Sequence, residues 1–154
     1  MSRTERILGI DPGLVSTGWG IVERCGSSLS FVDCSTIAPE SKAPLAERLL
    51  TLYADLGRII TLYKPTSAAI EETFVTANGA STLKLGQARG ALIVTLASHG
   101  LPVAEYATRT VKKALVGTGA ADKHQVSQMV SVLLPAARAA LAACKHDAAD
   151  ALAI

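Results

Sequence analysis

The spacing of the apolar residues changes once along this chain, and that change restricts the fold more than any other feature. Up to residue 37, Ile, Val, Leu and Trp gather in three runs, 6–11, 14–23 and 29–37, broken by Pro12-Gly13 and by Gly26-Ser27-Ser28. Runs of this kind between turn formers predict strands. Links this short leave only antiparallel pairing. From Leu45 the period becomes helical, through Leu49, Leu52, Leu56, Ile59, Ile60 and Tyr63, until Lys64-Pro65 stops it.

The remaining order follows the same signals. A short apolar strand is expected over 67–71, a helix over about 80–98 ending at Gly100, and another strand over 102–106. Thr108 to Leu115 reads as a helix and Gly117-Thr118-Gly119 as a turn. Asp122 caps a further helix, with Gln125 completing a capping box. The Ala-rich run 136–143 reads as plain helix, and a last helix takes in Asp147 onward. Three meandering strands followed by two strands that alternate with helices make an α/β chain with a mixed sheet, its last two strands parallel.

The chain has 154 residues, enough for one domain with a sizeable core and too few for two α/β lobes. Residues 1–154 are therefore read as a single domain. Hydrophobic residues make up 49% and charged ones 18%, a balance that argues against disorder. No apolar stretch reaches the roughly 18 to 20 residues of a membrane span, and MSRTER leads into a strand rather than a signal peptide. No membrane association is expected, and a cytoplasmic location is the default. Cys25, Cys34 and Cys144 lack metal-ligand spacing and read as small buried hydrophobes.

Charge is unevenly spread. The net value is only +2, yet residues 84–145 carry eight Lys/Arg against two acids, between two acidic ends. Such a distribution suits a polyanion held beside an acidic site.

Four acids stand where charge is costly. Asp11 interrupts the apolar run ILGIDPG, Glu71 ends AAIE, and Asp147 and Asp150 lie three apart in HDAADALAI. Carboxylates in such places must be paired, solvated at an edge, or bound to a cation. With the strand of Glu71 parallel to and beside the first, Asp11 and Glu71 come out at one sheet edge, where such folds place ligands. Asp147 and Asp150 share a helix face, and Ala148 and Ala149 leave room for a bulky neighbour. Hard oxygen donors favour Mg²⁺ or Mn²⁺ over zinc. Two such ions about 4 Å apart would suit in-line displacement at phosphorus. Asp33, Asp55, Glu23 and Glu47 lack this context and read as solvated charges.

The blocks ILGIDPG, AIEETF, LKLGQARG, VKKALVGTGAADKHQV and DAADALAI, in this order, resemble the RuvC family of bacterial Holliday junction resolvases. The likeness runs over nearly the whole chain, and five blocks in register are far more specific than any one. It implies a ribonuclease H-like fold and a homodimer that nicks opposed strands of a four-way DNA junction symmetrically, with Mg²⁺, in homologous recombination and repair. A partnership with the RuvA-RuvB branch-migration complex is implied as well.

By the family's motif positions, Asp11, Glu71, Asp147 and Asp150 would be the catalytic, metal-binding acids. Lys112 and Lys123 would be basic residues near them, and Phe74 the loop aromatic that wedges against junction bases. Some relatives use a histidine ligand where His146 stands, but the DAAD register assigns that role to Asp147. The family also favours a dimer contact along the helix of Gly86 and Gly90, and its chains usually continue several residues beyond the equivalent of Ile154.

Three other functions compete. A YqgF-type RNA nuclease shares the Gly-x-Asp-x-Gly start, although the basic block and the Phe74 loop fit the resolvase better. An actin-like or sugar-kinase lobe opens in the same way but needs a second lobe and a glycine-rich phosphate motif. A junction-binding module without catalysis would have no need of all four acids.

Overall fold

A computed structural model describes residues 4–144 and 146–154. Three strands, β1 (Glu5–Asp11), β2 (Thr17–Cys25) and β3 (Ser28–Ile37), form the expected antiparallel meander. Gly26 takes the positive φ, 62°, that the tight β2–β3 turn needs. β2 begins at Thr17 and not at residue 14. The cause is local: the Thr17 hydroxyl donates to the Gly13 carbonyl at 2.6 Å and accepts from the Gly13 N–H at 3.2 Å. These bonds hold the residues after Asp11 in a turn and satisfy a threonine that is wholly buried.

Helix α1 (Leu45–Tyr63) leads into β4 (Ser67–Glu71), which lies parallel to β1. Helix α2 (Gly79–Ser98) then crosses to β5 (Val103–Tyr106), parallel to β4, so the sheet order is β3-β2-β1-β4-β5. The Asn78 side chain starts α2 by accepting from the Ser81 N–H at 3.2 Å. Strand alternation decides which face each helix covers. Leu8, Ile10, Ile21 and Ile70 turn to one side and pack with Leu52, Leu56, Leu92 and Leu96 of α1 and α2. Each such fully buried side chain contributes roughly 1.5–3 kcal/mol.

The opposite face is unlike the first because its central positions are glycines. Gly9 pairs with Gly20, and Gly18 with Asp11, across β1 and β2. Helices α3 (Thr108–Val116), α4 (Lys123–Leu133), α5 (Arg138–Ala143) and α6 (His146–Ala153) complete the chain. Of these, α6 lies directly on the glycines. A Cβ on Gly9 would collide with the Ala151 carbonyl, one on Gly18 with the Asp147 carbonyl, and one on Gly20 with the Leu152 side chain. Ala148 and Ala151 are buried in this contact.

The capping box of α4 is present, with Gln125 N–H to Asp122 at 2.8 Å and the Asp122 N–H to the Gln125 side chain at 2.9 Å. The Ala-rich run is not one plain helix. Leu134, preceding Pro135, leaves helical geometry, and Pro135–Ala137 forms a 3₁₀ turn before α5.

Three of the acids read as solvated are paired. Glu23 accepts from Arg6 Nε at 2.9 Å, Asp33 accepts from the Tyr63 hydroxyl and the Cys34 N–H, and Asp55 pairs with Arg58. Cys34 is buried, but Cys25 is exposed at the β2–β3 turn, where no core lies over it. No single helix among the described residues is long and apolar enough to cross a membrane.

Replacing Gly18 by valine should force α6 off the sheet, costing about 1–3 kcal/mol of stability as overpacking does elsewhere. Urea unfolding measures this, and an unchanged midpoint would show that α6 does not depend on the close approach.

Candidate active site

The parallel pairing of β1 with β4 matches Ile10 to Ile70, so Asp11 and Glu71 follow as neighbours at the C-terminal edge of the two central strands. Asp11 belongs to the strand face that carries Gly9, which is the face under α6. The helix therefore delivers its acids to the same point. One carboxylate oxygen from each of Asp11, Asp147 and Asp150 lies within 4.8 Å of the others.

Glu71 is outside that three-acid cluster but beside it. Among the neighbouring charges, it acts on Asp11 most strongly. It also lines a cavity of about 130 Å³ with Asp11, Thr108, Lys112, Lys123 and Asp150. Asp147 does not line the cavity, although its charge is felt by Asp11. The four acids named from the sequence thus converge, three tightly and Glu71 at the flank.

Burial, then the charges of Glu71, Asp150 and Asp147, pushes the Asp11 carboxyl up to about 8. The nearby Lys123 ammonium opposes this only in part. Lys123 approaches Asp150 at 3.3 Å, and that carboxylate holds its ammonium above the ordinary lysine value. Lys112 enters the cavity from α3. A set of hard carboxylate oxygens that repel one another is the donor chemistry a small divalent cation satisfies. The residues present therefore fit such an ion. A larger cavity of about 590 Å³ over α1, lined by Tyr53, Gly57, Arg58 and His99 among others, presents no carboxylate and plays no part in this chemistry.

Phe74 stands in the loop 72–78 after β4 and is 58% exposed, so it is not a core residue. Gly86 and Gly90 face open space on α2, in company with exposed Leu83 and Val94. The side chain of His146 lies outside the described residues.

Two neighbours of Glu71 escaped the sequence reading. The Thr108 hydroxyl donates to Glu71 Oε1, and Arg89 Nε donates to the Glu71 carbonyl at 3.1 Å while its guanidinium pairs with Glu105. Arg89 stands in the quoted block LKLGQARG, but nothing in its spacing points at Glu71. Thr108 had one signal, its place two residues after the strand that neighbours β4.

Comparison with known proteins adds a family. Residues 7–154 match the family described as crossover junction endodeoxyribonuclease RuvC. The RuvC of Xanthobacter autotrophicus is 52% identical over 149 residues, covering 97% of this chain and 86% of the relative. That of Maricaulis maris is 53% identical over 154 residues, covering 100% and 90%. Thermus thermophilus RuvC in complex with Holliday junction substrate superposes with a TM-score of 0.86 at 31% identity, covering 97% of this chain and 90% of that one.

Asp11 makes metal-free stability depend on pH. Its folded value lies above its unfolded one, so from about pH 4 to about pH 8 the unfolded chain gives up a proton that the fold keeps. The metal-free protein should lose stability across that window, on the order of a few kcal/mol. Asp11→Asn should flatten the profile, which thermal unfolding in chelator at a series of pH values would reveal.

Proposed function

The chain belongs to the RuvC family of crossover junction endodeoxyribonucleases, and on that premise we propose that it resolves four-way DNA junctions by symmetric hydrolysis of phosphodiesters at the Asp11 centre. The observation that carries this is the meeting of Asp11, Asp147 and Asp150 beside Glu71, with Lys112 and Lys123 at the same cavity. Carboxylates alone would repel a phosphate. Carboxylates with a divalent cation and flanking lysines attract one.

We assign Asp11, Glu71, Asp147 and Asp150 as the residues that hold Mg²⁺, with Mn²⁺ able to substitute and two ions per site. Bound there, such ions supply Lewis acidity, which makes water a nucleophile at neutral pH and shields charge developing at phosphorus. The protein's own groups do the rest. Lys123, paired with Asp150, and Lys112 present positive charge to a phosphate entering the cavity. Preset charges of this kind need no reorganisation as negative charge builds up.

Phe74 supplies an exposed ring on which an unpaired base at the crossover can stack. A homodimer, formed along the open Gly86–Gly90 side of α2, would oppose two identical sites, as paired cuts in a two-fold junction require. Residues 1–154 serve as one nuclease domain, acting in the cytoplasm in recombination and repair and taking junctions from the RuvA-RuvB complex.

A synthetic four-way junction, incubated with and without Mg²⁺, tests the activity. Nicks should fall symmetrically across the crossover only with the metal; faster cutting of structured RNA would move the chain to RNA processing. Asp11→Asn should keep junction affinity and lower the nicking rate more than about 100-fold, beyond the loss expected for an outer-shell partner. Full cleavage by that variant would remove Asp11 from the site. Phe74→Ala should slow cutting by roughly tenfold or more, the value of one stacked base, while duplex-arm binding persists; unchanged cutting would return Phe74 to a structural role.

A further inference from the structure

We propose that Thr108 is the positioning residue for the Glu71 carboxylate, selecting which of its oxygens meets the cation and thereby setting metal affinity. This rests on Glu71 being a metal ligand, as argued above.

Glu71 needs such a partner more than the other acids do. Asp11, Asp147 and Asp150 issue from β1 and from α6, and α6 is locked to the sheet by backbone contact at Gly9 and Gly18. Glu71 has the longer side chain and stands outside their cluster, so its head group must be carried toward them across an extra rotatable bond. Rotamer freedom of this kind, left unchecked, opposes ligation.

The structure supplies a restraint at each end of the residue. Its carbonyl accepts from Arg89 Nε at 3.1 Å, and the next N–H, of Glu72, donates to the Tyr106 carbonyl at 2.8 Å. Those bonds fix the backbone. The side chain is held by the Thr108 hydroxyl, which donates to Oε1. Thr108 is the first residue of α3, two residues beyond the end of β5, and it lines the same cavity as Asp11, Glu71 and Asp150.

A hydroxyl suits this task. It is neutral and donates a single proton to the carboxylate, so it orients Glu71 without competing as a cation for the acids around it. A lysine in its place would neutralise the ligand. Partners of this kind, one step removed from a metal, typically account for about 10–100-fold in metal affinity or activity.

Mn²⁺ binding to the full chain, followed by the paramagnetic resonance of the free ion, is a direct readout independent of catalysis. Thr108→Val keeps the shape and removes the donor. It should weaken Mn²⁺ by roughly 10-fold or more, while Thr108→Ser, which retains a hydroxyl, stays near wild type. In nicking assays the Mg²⁺ concentration for half-maximal rate should rise in Thr108→Val, with the rate at saturating Mg²⁺ less affected and metal-free junction affinity unchanged. Thr108→Ala serves the same purpose should the valine variant fold poorly.

Wild-type Mn²⁺ affinity in the folded variant lacking the hydroxyl, or an equal loss in Thr108→Ser, would overturn the proposal. Glu71→Gln separates the two levels. If it loses Mn²⁺ affinity while the hydroxyl-free variants do not, only the role of Thr108 falls. If it binds Mn²⁺ as wild type does, Glu71 is no ligand and the assignment beneath the proposal falls too.

Discussion

The contact of α6 with the glycines of β1 and β2 is the constraint on which the site depends. Elsewhere a helix stands off a sheet by the depth of two layers of side chains. Here Gly9 and Gly18 contribute none, and the carbonyls of Ala151 and Asp147 come down to the strands themselves. That approach carries Asp147 and Asp150 to the edge where Asp11 ends β1. Any side chain at these glycines would lift the helix, and the acids would separate by the amount it moved.

Drawing the acids together has an electrostatic cost, and the surroundings show how it is met. Asp11 is pushed up to about 8 by burial and by its neighbours. The Lys123 ammonium, paired with Asp150, offsets part of this by its own charge, and Thr108 and Arg89 engage Glu71 at its carboxylate and its carbonyl. What is left over is a set of oxygen donors under mutual repulsion. A divalent ion held there, as proposed, would convert that repulsion into ligation, so folding stability would be given up where cation affinity is gained.

Much of this was legible in the residues. The change of apolar period after β3 foretold the meander and the parallel strands, and Asp122 with Gln125 foretold the start of α4. The acids were conspicuous because charge beside Ile10 or Ile70 is rare without a purpose. Two errors arose where a side chain's partner lies far along the chain. Asp33 and Glu23 read as solvated because Tyr63 and Arg6 are distant in sequence. Cys25 is exposed although its type favours burial, because residue type alone does not fix location. The first two alanines of the run, Ala136 and Ala137, fall in the 3₁₀ turn that Pro135 starts, because backbone geometry at Leu134 outweighs helix propensity.

By itself the sequence determined most of the elements, the family and which acids are candidates for the site. These follow from local spacing, from turn residues and from short blocks read in order. Only the tertiary structure decided how the acids meet: three in a tight cluster, Glu71 at its flank, and Thr108 and Arg89 holding Glu71 in place. The reason is physical. A strand's alternation says which face a residue takes, but the distance between a strand and a helix over a hundred residues later is set by what stands between them, and between β1 and α6 stands glycine.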